Sequence, residues 1–160
     1  MNAESQAFAI PIQLADLAGT EALGARIAAG LGIGDAVALQ GDLGAGKTTL
    51  ARAILRALGV TESVPSPTFT LVQTYETPGL VVRHYDLYRI RNPREIDELG
   101  RDEALEEGAV LIEWPENAGN RLPADALHVV LTTTGPGSRR ADIAGPTHWS
   151  PLLPGGVHVR

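Results

Sequence analysis

The apolar positions of this chain fall into short runs that suit strands and four-residue stripes that suit helices. Phe8 to Leu14 predicts an edge strand. Leu23, Ile27 and Leu31 then give a helical stripe, with Thr20 as a candidate N-cap and Glu21 suited to the first turn. Ala36-Val37-Ala38-Leu39-Gln40 reads as a short buried strand. After it, Leu50, Ile54 and Leu58 recur every four residues, and Gly59 follows as a helix C-terminal residue.

Ser63 to Phe69 is a proline-bearing loop. Two strands are predicted beyond it, Thr70 to Tyr75 and Leu80 to Asp86, joined through Thr77-Pro78-Gly79 as an antiparallel hairpin. Asn92 caps a short helix: Pro93 takes its first position, Glu95 completes a variant of the capping box, Ile96 and Leu99 form the inner face, and Gly100 ends it. Ala109-Val110-Leu111-Ile112 is a continuous apolar run that suits a central strand, ending in Glu113-Trp114-Pro115. Leu127 to Thr133 and Arg140 to Ala144 form a second hairpin across Gly135-Pro136-Gly137. Residues 145–160 are rich in Pro and Gly and are expected to be a flexible tail on a domain spanning 1–144.

Composition narrows the class. At 160 residues and 44% hydrophobic, the chain can build one α/β domain around a core. It has no cysteine, which excludes disulfides and thiolate metal sites and fits a cytoplasmic location. No signal peptide and no membrane span are expected. The net charge of −6, with no basic block longer than Arg139-Arg140, argues against direct binding of RNA or DNA.

One position breaks the pattern of charges. Of the thirteen lysines and arginines only Lys47 is lysine, and it lies in Gly41-Asp42-Leu43-Gly44-Ala45-Gly46-Lys47-Thr48. This run satisfies G-x-x-x-x-G-K-[ST] at every fixed position, a match that average composition yields in roughly one chain in a few hundred. Arginine is a wide planar fork and lysine is close to a point charge, so the exchange is not conservative beside phosphates. The predicted strand before the loop and helix after it supply the context such a loop needs, because loop N–H groups and a helix N-terminus converge on phosphate. Asp42, Leu43, Gly44, Ala45, Gly46, Lys47, Thr48 and Thr49 are therefore candidate nucleotide-binding residues, with the Thr48 hydroxyl offered to Mg²⁺.

Such a loop needs a carboxylate near the metal, usually at the end of a buried strand. Glu113 follows four apolar residues, and Asp86 ends a more polar strand; the competing reading of each is an ordinary strand-end acid facing solvent. Thr68 lies where a hydroxyl of a nucleotide-switch loop would sit, or is a solvated threonine of a proline turn. His84 reads as a packed or hydrogen-bonded strand residue, and Trp114 and Trp149 as packing residues. Arg139 is placed either to meet phosphate or a partner, or to be solvated on its hairpin.

Together these residues resemble a family. Gly41 to Thr49, Ser66-Pro67-Thr68-Phe69-Thr70-Leu71-Val72, His84-Tyr85-Asp86-Leu87-Tyr88-Arg89, Glu98-Leu99-Gly100 and Ile112-Glu113-Trp114-Pro115-Glu116 are similar, in order, to TsaE, the bacterial ATPase subunit of the tRNA threonylcarbamoyladenosine system. The likeness runs from about Thr20 to Ala144. It implies an α/β, single-domain P-loop NTPase fold with a mixed parallel/antiparallel sheet flanked by helices, and slow hydrolysis of ATP with Mg²⁺. It further implies action with TsaB and TsaD on adenosine 37 of tRNAs reading ANN codons, with tRNA met only through the complex. By the family pattern Lys47 holds phosphates, Thr48 and Glu113 serve Mg²⁺, Asp86 supports metal and water, Thr68 belongs to the switch loop, and Thr20 and Arg139 lie near the nucleotide. The tail beyond Gly145 matches no family element.

Two other readings compete. A small-molecule or nucleoside kinase would need an acceptor pocket and a closing lid, for which little chain remains. A nucleotide-gated binding module would hydrolyse ATP only incidentally. Phosphate transfer to a panel of acceptors separates the first, and turnover with and without TsaB and TsaD separates the second.

Overall fold

The computed structural model describes residues 7–65 and 71–153. Its strands are β1 (Ala7–Leu14), β2 (Ala36–Gln40), β3 (Val72–Thr77), β4 (Leu80–Asp86), β5 (Gly108–Glu113), β6 (Leu127–Gly135) and β7 (Ser138–Pro146). Its helices are α1 (Leu17–Gly30), α2 (Lys47–Ala57), α3 (Glu95–Glu98) and α4 (Arg101–Glu107), with 3-10 turns at Pro115–Ala118 and Thr147–Leu152.

The strands form one seven-stranded sheet in the order β1-β7-β6-β2-β5-β4-β3. Strands β6, β2, β5 and β4 are parallel neighbours. Antiparallel strands extend both sides: β7 and β1 beyond β6, and β3 beyond β4. This is the α/β, mixed-sheet architecture expected from the sequence. Both anticipated hairpins form, and β1 is an edge strand. Because β5 is covered on both faces, every residue in it is buried, which explains its unbroken apolar run.

Alternation along β5 divides the core. Leu111 faces the layer containing Leu23 and Ile27 of α1 and Leu50 and Ile54 of α2. Val110 and Ile112 face the opposite layer, with Tyr85, Ile96 and Ala104. A helix as short as α2 is marginal alone in water. It is held by Leu50, Ile54 and Leu55, each fully buried, and burying such a side chain contributes about 1.5–3 kcal/mol. Helices α1 and α2 approach closely at Gly24, where an added Cβ would lie 2.5 Å from that of Ala53.

Three expectations need correction. Helix α1 starts before Thr20: Asp16 is its N-cap and accepts the Gly19 N–H at 3.0 Å. Thr20 is thereby carried inside the first turn and buried. Helix α4 escaped the sequence reading because only Ala104 in it is fully buried, which leaves no apolar stripe. The domain does not stop at Ala144. Strand β7 runs to Pro146, and the following 3-10 turn inserts Trp149 against Gly30 of α1, with 1% of its surface exposed. High Pro and Gly content suggested a loose tail, yet Trp149 and Leu153 are buried and the Leu152 carbonyl accepts from Arg26 of α1 at 3.2 Å; residues 154–160 of the expected tail lie outside the described residues. The reciprocal hydrogen bonds of Asn92 and Glu95 form, Asn92 Oδ1 accepting the Arg94 N–H and Glu95 Oε2 the Asn92 N–H, each at 3.0 Å, but they close the turn before α3, which begins at Glu95 behind Arg94 rather than at Pro93.

Trp149→Ala is expected to destabilise the domain by about 3–5 kcal/mol, the range for truncating a buried aromatic. Urea denaturation of the full chain measures this. An unchanged midpoint would place Thr147–Leu152 outside the cooperative fold.

Candidate functional site

The parallel strands end together. Register pairs Leu39 of β2 with Glu113 of β5, and Glu113 with Asp86 of β4. The Gly41–Gly46 loop leaves β2 at this level and returns as α2, so the helix N-terminus is directed at the ends of two acid-bearing strands. The loop closes tightly. An added Cβ at Gly41 would lie 2.7 Å from the Leu131 carbonyl oxygen, and Gly46 enters α2 with a φ of 103° that favours glycine.

Lys47 begins the helix with only 5% of its surface exposed. Its Nζ donates to the carbonyls of Gly41 at 2.6 Å and Asp42 at 2.9 Å, and lies 4.2 Å from the centre of the Trp114 ring. Burial pushes the ammonium below the usual lysine range, opposed by the charges of Glu113, Glu116, Asp86 and Asp42.

The next residue reaches the acids. Thr48 Oγ1 lies 2.9 Å from both oxygens of Glu113. Glu113 is 2% exposed, and its Oε2 also lies 2.7 Å from His84 Nε2. Asp86, 4% exposed, accepts the Tyr88 N–H through Oδ1 at 2.9 Å. Arg139 grips the loop from β7: Nε donates to the Ala45 carbonyl at 2.9 Å and Nη2 to the Gly44 carbonyl at 3.3 Å. A trans peptide points its N–H opposite its carbonyl, so drawing the Ala45 oxygen toward Arg139 aims the Gly46 N–H the other way.

These groups line a cleft of 350 Å³ that gathers Leu43, Gly44, Gly46, Lys47, Thr48, Thr49, Asp86, Glu113 and Arg139. Thr20 sits in an adjoining cleft of 220 Å³ that shares Gly46, Thr49 and Arg139. Asp42 lines a third cleft, with Glu116 and Ala45, on another side of the loop. Thr68 lies outside the described residues.

The sequence reading undervalued Trp114 and Tyr88, while His84 is the packed, hydrogen-bonded strand residue it expected. Trp114 is half-buried against Lys47, and its ring pairs with that of Tyr88 at 4.8 Å, so both aromatics wall the cleft. Its φ of 59°, uncommon for a bulky side chain, turns the chain directly after Glu113 and leaves no trace in the sequence. His84 is two residues from Asp86 in the same strand, and a period-two reading places both on one face.

The oxygen donors of Thr48, Glu113 and Asp86 suit a hard cation such as Mg²⁺. No group of three His, Cys, Asp or Glu among the described residues could hold a metal. Mg²⁺ commonly takes one or two carboxylates and completes its shell with water and substrate phosphates.

Known proteins share this arrangement's sequence. The family described as Threonylcarbamoyl adenosine biosynthesis protein TsaE matches residues 14–141. The tRNA threonylcarbamoyladenosine biosynthesis protein TsaE of Rickettsia felis is 40% identical over 135 residues, covering 84% of this chain and 79% of the relative. The protein of the same name from Nostoc sp. is 40% identical over 137 residues, covering 82% and 83%. Among solved structures, the crystal structure of Bacillus subtilis YdiB aligns with a TM-score of 0.76 at 28% identity, over 91% of this chain and 92% of that one. The match to the family takes in the phosphate-loop motif and both acid-bearing strands, and whole-length relatives agree with it: this chain belongs to the TsaE family.

Proposed function

We propose that this chain binds ATP with Mg²⁺ and hydrolyses it slowly to ADP and phosphate. The cycle would support threonylcarbamoylation of adenosine 37 in tRNAs reading ANN codons, in company with TsaB and TsaD. The observation that carries the nucleotide reading is the contact of the Thr48 hydroxyl with both Glu113 oxygens at 2.9 Å, one residue after Lys47. A hydroxyl and a carboxylate so placed at the mouth of a phosphate-type loop can share one cation. The likeness to tRNA threonylcarbamoyladenosine biosynthesis proteins supports the pathway.

In this reading the N–H groups of the loop and of the first turn of α2 bind the phosphate oxygens, and Lys47 adds a compact positive charge. Thr48 and Glu113 would hold Mg²⁺, which neutralises charge developing on the phosphate oxygens. Asp86, paired in register with Glu113 and tied to the Tyr88 amide, orients the attacking water. Arg139 keeps the loop open by holding its carbonyls outward. Water attacks the γ-phosphorus, the bond to the β–γ bridging oxygen breaks, and ADP and phosphate leave. Thr68 would sense the γ-phosphate. Support for a switch there comes from the flanks of its segment: the Val64 carbonyl accepts from Arg52 Nε of α2 at 2.6 Å, and the Leu71 carbonyl accepts the Asp86 N–H at 3.0 Å. Both flanks are thus tied to elements that meet the nucleotide.

Lys47→Ala and Lys47→Arg are both expected to lose ATP affinity by about 10–100-fold, as for a charge-assisted hydrogen bond worth about 1.5–3 kcal/mol. Arginine fails because its planar fork cannot occupy a seat between two carbonyls and an indole. Calorimetric ATP titration decides this, and parental binding by Lys47→Arg would count against the phosphate role. Glu113→Ala is expected to weaken Mg²⁺-dependent binding and turnover together, by at least about tenfold, whereas Asp86→Ala should reduce turnover more than binding. Mg²⁺ titration of both variants tests the assignment, and the reverse order would refute it. The acidic chain should bind TsaB–TsaD more tightly with ATP than with ADP, depend on Thr68 for that difference, and bind tRNA only weakly by itself. Association measured by surface plasmon resonance, with tRNA as a separate analyte, tests this; tight tRNA binding or indifference to nucleotide would oppose it.

A further inference from the structure

The inference concerns His84 and rests on the reading of Glu113 as the acid that faces the metal. His84 is completely buried on β4, with Leu111 as its register partner on β5. On the face toward α2 its apolar neighbours Val82 and Leu111 are also completely buried, and Asp86 follows two residues further along the strand. Leucine would fill such a place without cost, whereas an imidazole brings two polar atoms into the core. One of them, Nδ1, has no hydrogen-bond partner among the described residues. The other, Nε2, lies 2.7 Å from Glu113 Oε2. The one hydrogen bond described for this ring is therefore made to the candidate metal-binding acid. A carboxylate oxygen only accepts, so the ring nitrogen donates.

The two oxygens of Glu113 are not equivalent in consequence. The Thr48 hydroxyl lies 2.9 Å from each, but it carries a single proton and cannot fully satisfy both. Among the described residues Oε2 has a second donor in His84, and Oε1 has the shared hydroxyl alone. We propose that His84 is a positioning residue: it commits Oε2 inward and fixes the carboxylate plane, so that Oε1 stays directed at a divalent cation beside Thr48. The alternative is a histidine that merely fills space and happens to touch an acid.

The two roles separate in ATP titrations of the full chain with Mg²⁺ and with EDTA. His84→Leu keeps the volume and removes the donor; His84→Gln keeps an N–H at similar reach. If His84 positions Glu113, His84→Leu weakens Mg²⁺-dependent ATP affinity by about 10–100-fold, the usual consequence of losing a partner that orients a metal ligand. ATP affinity in EDTA stays at the parental value, and His84→Gln recovers most of the loss. Equal weakening with and without Mg²⁺, no weakening, or equal defects in Leu and Gln would overturn the proposal. If His84→Leu does not fold, His84→Asn, which draws the amide back from Glu113, must show the same Mg²⁺-specific loss. A parent whose ATP affinity ignores Mg²⁺ would overturn the metal reading itself. A Mg²⁺-dependent parent whose dependence vanishes in Glu113→Gln but survives in His84→Leu would sink only the role of His84.

Discussion

The contact between Thr48 and Glu113 is the constraint on which the rest of this structure turns. It joins the first turn of α2 to the end of β5, across 65 residues of sequence. A carboxylate that is 2% exposed is costly unless hydrogen bonds satisfy it. Its described side-chain partners come from α2 and β4, so the acid can be buried only if the helix, the central strand and its neighbour are all in register. The packing of Leu50 and Ile54 beneath the helix and the parallel pairing of β4 with β5 deliver that register. Fold and candidate chemistry thus share one tie-point, and loosening either loosens the other.

The loop above this tie-point is held by cations on its carbonyl side. Lys47 takes the oxygens of Gly41 and Asp42, and Arg139 takes those of Gly44 and Ala45. Loop carbonyls left free would repel phosphate. With four of them drawn onto cations, the repulsion is screened and the opposed N–H groups are left to face an anion. The two cations come from distant parts of the chain, one at the start of α2 and the other on β7. That explains why the antiparallel β6–β7 hairpin, remote from the motif in sequence, belongs to the site in space.

Most of the architecture was legible because its signals are local. The Ala36–Gln40 run, the four-residue stripe from Leu50 and the continuous Ala109–Ile112 run each encode their element within a few residues. The glycine-rich turn between β2 and α2 and the strand ends at Asp86 and Glu113 were legible for the same reason. What stayed hidden depends on contacts between segments. Asp16 outcompeted Thr20 as the N-cap because the helix begins earlier than its apolar stripe. Trp149 is buried through a partner surface on α1 that no local composition announces. The turn at Trp114 is a left-handed backbone conformation that its residue type does not announce, and the carbonyl-gripping role of Arg139 exists only once β7 lies beside the loop.

Electrostatics adds a last step. Glu113, Glu116, Asp86 and Asp42 all bear on Lys47, in that order of strength, while burial works against its charge. Arg139 spends its donors on carbonyls, and the whole chain carries a net charge of −6. A nucleotide polyphosphate alone would therefore approach a mouth crowded with carboxylates. A divalent cation carried with it offsets that repulsion, because the same acids then attract the metal. On the proposed reading, the acids that make the site unfavourable for bare nucleotide are what couple nucleotide and metal binding. The choice between them is made by charge before any atom of the base is recognised.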